Sequence, residues 1–169
     1  MKYFFALLMV AFSLGSCSND DSANDDDPFL AQEYTDLKIY GNSKIVVPVD
    51  SEFFVTTIDS GSKLVFEYSY VVESDPEFQD SGYYESIVFE IEPGVSEFSV
   101  EDGELRFVNA YYRQVCFCLN TESIEIVNGK ISGTKINATD WSVIIDVDFL
   151  LMEGQDLESK EIAGTFVLN

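Results

Sequence analysis

The segment WSVIIDVDFLL, residues 141–151, alternates apolar and polar side chains along most of its length. One set of positions is apolar throughout and comprises Trp141, Val143, Ile145, Val147, Phe149 and Leu151. The positions between them include Ser142, Asp146 and Asp148. Because successive side chains of an extended strand point to opposite faces of its sheet, this segment is predicted to be an antiparallel strand with one face buried and the other in water.

The same two-residue period recurs along most of the chain after residue 34. Lys63–Val72 and Tyr83–Ile91 alternate in this way, and turn signals such as Asp80-Ser81-Gly82 and Asn128-Gly129 separate the apolar runs. Further strands are predicted at 36–40, 44–49, 52–58, 95–100, 105–108, 111–119, 124–127, 130–136 and 162–168. No stretch of ten residues shows the 3.6-residue period of a helix, so the chain is predicted to be almost entirely β.

About ten short strands at this spacing are typical of a β-sandwich or a closed barrel. We expect an all-β fold, an antiparallel β-sandwich, with a closed lipocalin-like barrel as the alternative. The last three long runs are predicted to form a meander at the end of the chain. The length of 169 residues suits a single folded domain, predicted at 34–169.

The composition excludes several classes of function. The chain has 31 acidic and 9 basic side chains, which gives a formal net charge of -22. Such a surface repels phosphate backbones, so nucleic acid is excluded as a partner. The chain also lacks histidine, the commonest general base. We therefore expect a protein that is not an enzyme and has no cofactor.

The N-terminus has the features of an export signal. Lys2 precedes an apolar run at 3–12 that is too short to span a bilayer, and Leu14-Gly15-Ser16-Cys17 follows. This ending resembles the lipobox of bacterial lipoproteins. The resemblance implies that 1–16 is a cleaved signal peptide and that Cys17 carries a covalent lipid of fatty acyl chains such as palmitate. Two or three such chains would hold the protein firmly in a membrane.

The residues after Cys17 refine the predicted location. Ser18 stands where an aspartate would mark retention in the inner membrane of enteric bacteria, and an aspartate-rich run extends to Asp27. This run resembles the acidic export signal of Bacteroidetes-type lipoproteins displayed at the cell surface; a plain solvated linker is the alternative. Residues 17–33 are predicted to be a flexible acidic tether, because like charges repel and extend such a segment. The resemblance implies an outer-membrane, lipid-anchored protein at the cell surface.

Tyrosine pairs provide the candidate ligand-facing side chains. They are Tyr83 with Tyr84 and Tyr111 with Tyr112. Tyrosine rings stack on sugars and anchor protein contacts, since they combine a flat apolar body with a polar tip. Strand alternation buries one member of each pair and exposes the other, although the pattern alone leaves open which one.

Cys116 and Cys118 form a candidate thiol pair. Residues two apart on a regular strand lie about 6.6 Å from each other, whereas the Cβ atoms of a disulfide lie about 3.8 Å apart. We therefore expect two buried or half-buried thiols. A disulfide across a bulge and a redox or soft-metal site are the alternatives.

The acidic loop that follows residue 72 is a weak candidate for Ca²⁺. Asp75, Glu77 and Asp80 supply carboxylate oxygens, which calcium prefers. The loop lacks the regular spacing of a calcium-binding loop, so a solvated loop without metal is expected.

Together these features predict an outer-membrane lipoprotein that acts as a non-enzymatic binding or interaction module for a glycan or protein ligand. One alternative is a carrier for a small apolar ligand, which requires a barrel with a large apolar cavity. The other is a carbohydrate-active enzyme with two carboxylates, which requires an Asp/Glu pair about 5 to 9 Å apart in a cleft.

Overall fold

The computed structural model of the chain describes residues 31–48, 54–75, 77, 81–116, 122–151 and 156–169. The predicted signal peptide, Cys17 and most of the predicted tether lie outside these residues. No helix in the described part of the chain has the length and hydropathy of a membrane-crossing span.

The described residues form ten strands and one short helix. The strands are β1 Glu33–Val46, β2 Thr57–Ser60, β3 Lys63–Val72, β4 Tyr83–Ile91, β5 Glu97–Glu101, β6 Tyr111–Val115, β7 Ser123–Glu125, β8 Asn128–Lys135, β9 Asp140–Phe149 and β10 Glu158–Leu168. A 3₁₀ helix spans Asp102–Val108 between β5 and β6. The prediction of an all-β fold is confirmed, and β3 and β4 have the predicted bounds.

The strand predicted at 105–108 is wrong, because these residues belong to the 3₁₀ helix. Asp102 and Asn109 adopt positive φ angles of 49° and 47°, and these left-handed residues turn the chain at both ends of the helix. Leu105 is fully buried, whereas Phe107 is 80% exposed. Leu105 and Phe107 are apolar and two residues apart, which is the spacing of a strand, although the backbone here is helical.

The predicted strand 36–40 and residues 44–46 of the predicted strand 44–49 belong to the single strand β1. The register of β1 against β3 shifts between Tyr40 and Ser43, where Asn42 has a φ of 52°. The backbone N–H of Gly61 donates to the carbonyl oxygen of Asn42 at 2.8 Å. An extra residue of this kind is a β-bulge, which bends a strand without ending it.

All ten strands belong to one curled sheet shaped as a half-barrel. The strand order is β5-β8-β9-β10-β1-β3-β4-β6-β7, with β2 paired to β1 beside this path. The predicted meander is confirmed, because β8, β9 and β10 pair consecutively and antiparallel. The expectation of a purely antiparallel fold is wrong: β1 and β10 pair in parallel through Lys38 with Val167 and Ile39 with Leu168.

The curl of the sheet follows from contacts between strands that are far apart in this order. β4 and β5 are six strand-to-strand steps apart, which is about 29 Å on a flat sheet. The rings of Phe89 on β4 and Phe98 on β5 nevertheless lie 5.8 Å apart. Two facing halves of one sheet therefore stand in place of the two separate sheets of the predicted sandwich. In the described residues no ladder joins the edge strands β5 and β7, as a closed barrel would require.

Aromatic rings fill the space between the two halves of the sheet. Phe66 stacks on Phe89 at 4.9 Å and meets the edge of Trp141 at 5.6 Å. All three side chains are at most 2% exposed. Burial of side chains of this size contributes about 1.5–3 kcal/mol each. The inner face of the sheet thus forms the main core.

A second apolar cluster lies on the outer face of the same sheet. It contains Ile45, Val65, Val88 and Tyr111, and Phe54 packs against it from the segment before β2. The outer face is therefore partly covered, and a groove lies beside this cover.

Candidate functional site

Strand β4 divides its polar side chains between the two faces of the sheet. Tyr83 and Glu85 share the inner face with the core residue Phe89, whereas Tyr84 and Ser86 point outward, because alternate residues of a strand face opposite sides. Each face carries its own carboxylate with tyrosine hydroxyls around it. The two arrangements differ in burial and in the number of donors.

A groove on the outer face has a cavity volume of about 660 Å³. Its floor includes Tyr40, Glu67, Tyr84, Ser86 and Arg113 from four neighbouring strands. The bulge of β1 and the segment 56–60 form its walls. We call this site the outer groove. Its volume lies within the range of about 300–1,000 Å³ that is usual for small-ligand sites.

Glu67 lies in the outer groove and accepts two tyrosine hydroxyl groups. The hydroxyl of Tyr40 donates to Oε2 at 2.7 Å, and that of Tyr84 donates to Oε1 at 3.4 Å. Burial, followed by the hydrogen bond to Glu67, raises the pKa of Tyr40 well above its ordinary value. Both phenols therefore stay protonated at neutral pH. A carboxylate accepts about four hydrogen bonds, so Glu67 retains acceptor capacity for a ligand.

Arg113 brings a positive charge to the same groove. It lies on β6 directly opposite Ser86 of β4. Burial raises the pKa of Tyr84; a hydrogen bond with Ser86 and, to a smaller extent, the charge of Arg113 oppose this rise. The guanidinium group carries five donors in a fixed plane. Two flat rings, one carboxylate acceptor and one guanidinium donor together suit a ligand that has many hydroxyl groups.

Glu85 occupies the inner face and is only 2% exposed. Its Oε1 accepts the hydroxyl of Tyr68 at 3.0 Å and the ammonium of Lys160 at 2.6 Å. Its Oε2 accepts the hydroxyl of Tyr83 at 2.6 Å, and the hydroxyl of Tyr112 lies 3.2 Å from the same oxygen. We call these five residues the Glu85 cluster. Four donors match the acceptor capacity of one carboxylate.

The surroundings of Glu85 determine its charge. Burial by itself would raise the pKa of Glu85, but the hydrogen bonds from Lys160 and Tyr83 outweigh burial and lower the pKa below its usual value. Burial and the hydrogen bond to Glu85 raise the pKa of Tyr83 to about 12. The cluster is therefore a buried ionised carboxylate with protonated phenols around it.

A smaller cavity of about 180 Å³ adjoins the Glu85 cluster. Besides Glu85 and Lys160, it is lined by Tyr83, Tyr112, Gln114, Phe149, Leu151 and Glu158. The rings of Tyr112 and Phe149 stack at 4.0 Å across the interior. We call this space the inner cavity. It lies at the end of the half-barrel where β4 and β10 begin.

The structure assigns the four predicted ligand-facing tyrosines to three places. Tyr84 lines the outer groove, and Tyr83 and Tyr112 line the inner cavity. Tyr111 is 7% exposed and packs against Phe54 in the outer apolar cluster. Tyr112 is 2% exposed and stacks on Phe149, so both members of this pair are buried, and the expectation that alternation exposes one of them is wrong. The interpretation that Tyr111 and Tyr112 face a ligand is therefore also wrong, because neighbouring side chains cover both rings.

Cys116 is disulfide-bonded, so the expectation of a free thiol at this position is replaced by a disulfide. The side-chain amide of Gln114 donates to its sulfur at 3.0 Å. Cys118 lies outside the described residues, so a bond between these two cysteines stays a prediction.

The weak calcium candidate falls partly outside the described residues, since Asp80 is not among them. Asp75 accepts the backbone N–H of Glu77 through its own carboxylate at 2.8 Å. This contact is a local turn. Within the described ranges, no group of three or more His, Cys, Asp or Glu side chains is placed to hold a metal ion.

The predicted outward row of β9 is confirmed. Asp146 is exposed and Asp148 is half-buried, and the hydroxyl of Ser159 on β10 donates to the carboxylate of Asp148. Neither carboxylate lines the outer groove or the inner cavity.

Four residues of these sites were not predicted from the sequence, namely Tyr40, Glu67, Arg113 and Glu85. One signal was available for Glu85, because the alternation of β4 places it on the same face as Ile87, Phe89 and Ile91. A carboxylate at an apolar position of a strand indicates a buried partner. The outer groove carried no such signal, since its residues come together only through the pairing of β1, β3, β4 and β6.

Comparison of the chain with protein-family models, with curated proteins and with solved structures finds no match.

Proposed function

We propose that this chain is a lipid-anchored outer-membrane protein, displayed at the cell surface, that binds glycans in the outer groove without catalysing a reaction. The observation that carries the binding proposal is the groove itself, in which Tyr40, Glu67, Tyr84 and Arg113 line a cavity of about 660 Å³. The lipobox-like ending at Cys17 and the acidic run after it support the anchor and the location.

The chemistry of the groove favours a neutral glycan. Sugar rings present apolar faces that stack on flat aromatic rings such as that of Tyr84, and their hydroxyl groups both donate and accept. Glu67 would accept from these hydroxyls and Arg113 would donate to them. The net charge of -22 on the chain disfavours polyanionic ligands.

Two features favour this proposal over the alternatives. A carrier for an apolar ligand needs a large apolar cavity, whereas the described core between the two halves is filled by Phe66, Phe89 and Trp141. A carboxylate-based hydrolase needs a carboxylic acid that can release a proton near neutral pH. The pKa of Glu85 is lowered by Lys160 and its tyrosine partners, which is the opposite direction.

The anchor is tested by fractionating cells that express the parent protein or Cys17→Ser. We expect the parent in the membrane fraction and the variant in the soluble fraction, because the serine oxygen is not a substrate for lipidation. Protease treatment of intact cells then tests display. Digestion of the parent without lysis is expected, and digestion only after lysis would contradict display at the surface.

The ligand class is tested with the full-length protein, purified in detergent and applied to an array of neutral and anionic oligosaccharides. Binding to neutral members is expected, and Tyr84→Ala should weaken it about tenfold, because the stacking ring is lost. Tyr34→Ala is the matched control, since Tyr34 is 46% exposed on the same sheet but does not line the groove. Equal losses for the two variants, or no binding by the parent, would contradict the proposal.

A further inference from the structure

Two strand segments cross the outer face of the sheet as a ribbon. After the bulge, Ser43–Val46 of β1 pair antiparallel with Thr57–Ser60 of β2. The preceding residue, Thr56, donates its backbone N–H to the hydroxyl of Ser123 on β7 at 3.0 Å. Because β3, β4 and β6 lie between β1 and β7 in the sheet, the ribbon spans the outer face and forms one wall of the outer groove.

The hydrogen bonds of the ribbon show which backbone groups of β2 point away from β1. In an antiparallel pair, residues that exchange two backbone hydrogen bonds alternate with residues whose N–H and C=O groups point outward. The N–H of Ile45 donates to the carboxylate of Glu90 at 2.9 Å, so Ile45 and its partner Ile58 are an outward pair. The N–H of Ser60, two residues on, likewise points outward and donates to the carboxylate of Asp59 at 2.7 Å.

The outward backbone groups of Ile58 face the outer groove. The groove is lined by Thr56–Ser60 but by none of Lys44–Val46. It therefore lies along the edge of β2 that is turned away from β1. Ile58 is half-buried, and its side chain packs against the outer apolar cluster, which includes the groove residue Val88.

The edge of β2 offers one backbone donor to a ligand. The N–H of Thr56 is already occupied by Ser123, and that of Ser60 by Asp59. Within the described residues, the outward N–H of Ile58 has no partner in the protein. An added peptide strand needs outward groups at every second residue, so this edge suits a single accepting group better than a strand.

The floor of the groove supplies an acceptor and an apolar contact side by side. Glu67 retains acceptor capacity beside its two tyrosine donors. Val88 lies directly opposite Glu67 in the ladder of β3 and β4 and also lines the groove. Side chains so paired have Cβ atoms about 4.5–5.5 Å apart. A carboxylate and a contact for a methyl group therefore adjoin each other across the groove from the ribbon.

We infer that the glycan bound in the outer groove carries an N-acetylated amino sugar, which rests on the proposed function. A trans acetamido group has its carbonyl acceptor and its N–H donor on opposite sides and a methyl group beside them. Its carbonyl accepts from the N–H of Ile58, its N–H donates to Glu67, and its methyl group contacts Val88. Packed β layers stand about 10 Å apart, so a hydroxyl group in the same position reaches only one of the two walls.

Matched oligosaccharides test the inference with the full-length protein in detergent. Chitotetraose and cellotetraose differ only in the acetamido or hydroxyl group at C2 of each sugar, and N-acetyllactosamine and lactose differ in this way at one sugar. Calorimetric titration should show at least about tenfold tighter binding of the acetamido member of each pair, because it gains a second hydrogen bond and a methyl contact.

The outcomes separate the inference from the proposed function. Equal affinity within the pairs, or array binding confined to neutral members without acetamido groups, would overturn the inference alone. Absence of binding to every neutral oligosaccharide would overturn both.

Two variants of Ile58 test the assigned donor. Ile58→Pro removes the N–H, which an edge strand tolerates where that group lies outside the ladder, whereas Ile58→Ala shortens the side chain and keeps the N–H. The preference for chitotetraose over cellotetraose should fall below about threefold in Ile58→Pro and stay at about tenfold or more in Ile58→Ala. Because the preference is a ratio within each variant, a general loss of stability does not imitate this result. Equal preference in the two variants would overturn the assignment to Ile58.

Discussion

Glu67 and Glu85 present the same chemistry on opposite faces of one sheet, and the structure uses them differently. Each is a glutamate on a central strand that accepts tyrosine hydroxyls. Glu85 is 2% exposed and has four donors within 3.2 Å, one of them from the far half of the sheet. Glu67 is half-buried, has two donors and lines an open groove. All acceptor positions of the Glu85 carboxylate are used by side chains of the protein, so Glu85 stabilises the fold. The Glu67 carboxylate has acceptor positions left, so it can accept hydrogen bonds from a ligand.

The largest expected effect concerns stability. Glu85→Gln replaces two of four accepting positions with donors and leaves the tyrosines and Lys160 without full partners. We expect the free energy of unfolding to fall by about 2–3 kcal/mol, below the full value for a broken buried pair because Lys160 can reach water. Urea unfolding of the purified protein measures this change.

Glu67→Gln is the matched control for that substitution. It should lower the free energy of unfolding by less than about 1 kcal/mol, because the side chain is half-buried and its tyrosine partners can bond to water. Equal losses for the two variants would remove the distinction between the two faces.

The next effect is smaller and concerns single hydroxyl groups. Tyr112→Phe removes a donor from buried Glu85 and should cost about 1–2 kcal/mol, whereas Tyr40→Phe removes a donor from half-buried Glu67 and should cost about 0.5 kcal/mol. The same urea experiment compares them. A larger loss for Tyr40→Phe would place the structural role on the outer face instead.

The pH dependence of the free energy of unfolding tests the charge state assigned to Glu85. Because the pKa of Glu85 is lower in the folded protein than in the unfolded chain, its contribution to stability is complete above the unfolded value of about 4.3 and is lost as the pH falls toward the folded value. The difference in stability between the parent and Glu85→Gln should therefore be constant from pH 7 to about pH 5 and narrow below it. A difference that widens in acid would contradict the assigned charge state.

The strands could be predicted from the sequence where one face is buried and the other wet. The patterns of β3, β4 and β9 reflect this difference directly, and the predicted bounds of β3 and β4 match the structure. The helix at Asp102–Val108 could not be predicted, because Leu105 and Phe107 show the two-residue spacing of a strand while a pair of left-handed residues turns the backbone.

The candidate sites depend on strand pairing, which a single sequence does not contain. Glu67 meets Tyr40 through the pairing of β1 with β3, and Arg113 joins them through the pairing of β4 with β6. Lys160 reaches Glu85 only because the sheet curls, over a separation of 75 residues. The sequence could identify tyrosines as candidate site residues. It could not identify the carboxylates and cations that lie beside them, because strand pairing and the curl of the sheet bring these groups together.

The most direct test of the account is the array signal for neutral oligosaccharides given by Glu67→Gln and Glu85→Gln beside the parent, at a temperature where all three are folded. Removal of the accepting carboxylate from the outer groove should weaken binding about tenfold in Glu67→Gln, whereas Glu85→Gln should bind like the parent despite its lower stability. Parent-like binding by Glu67→Gln, or loss confined to Glu85→Gln, would contradict the assignment of the ligand to the outer groove.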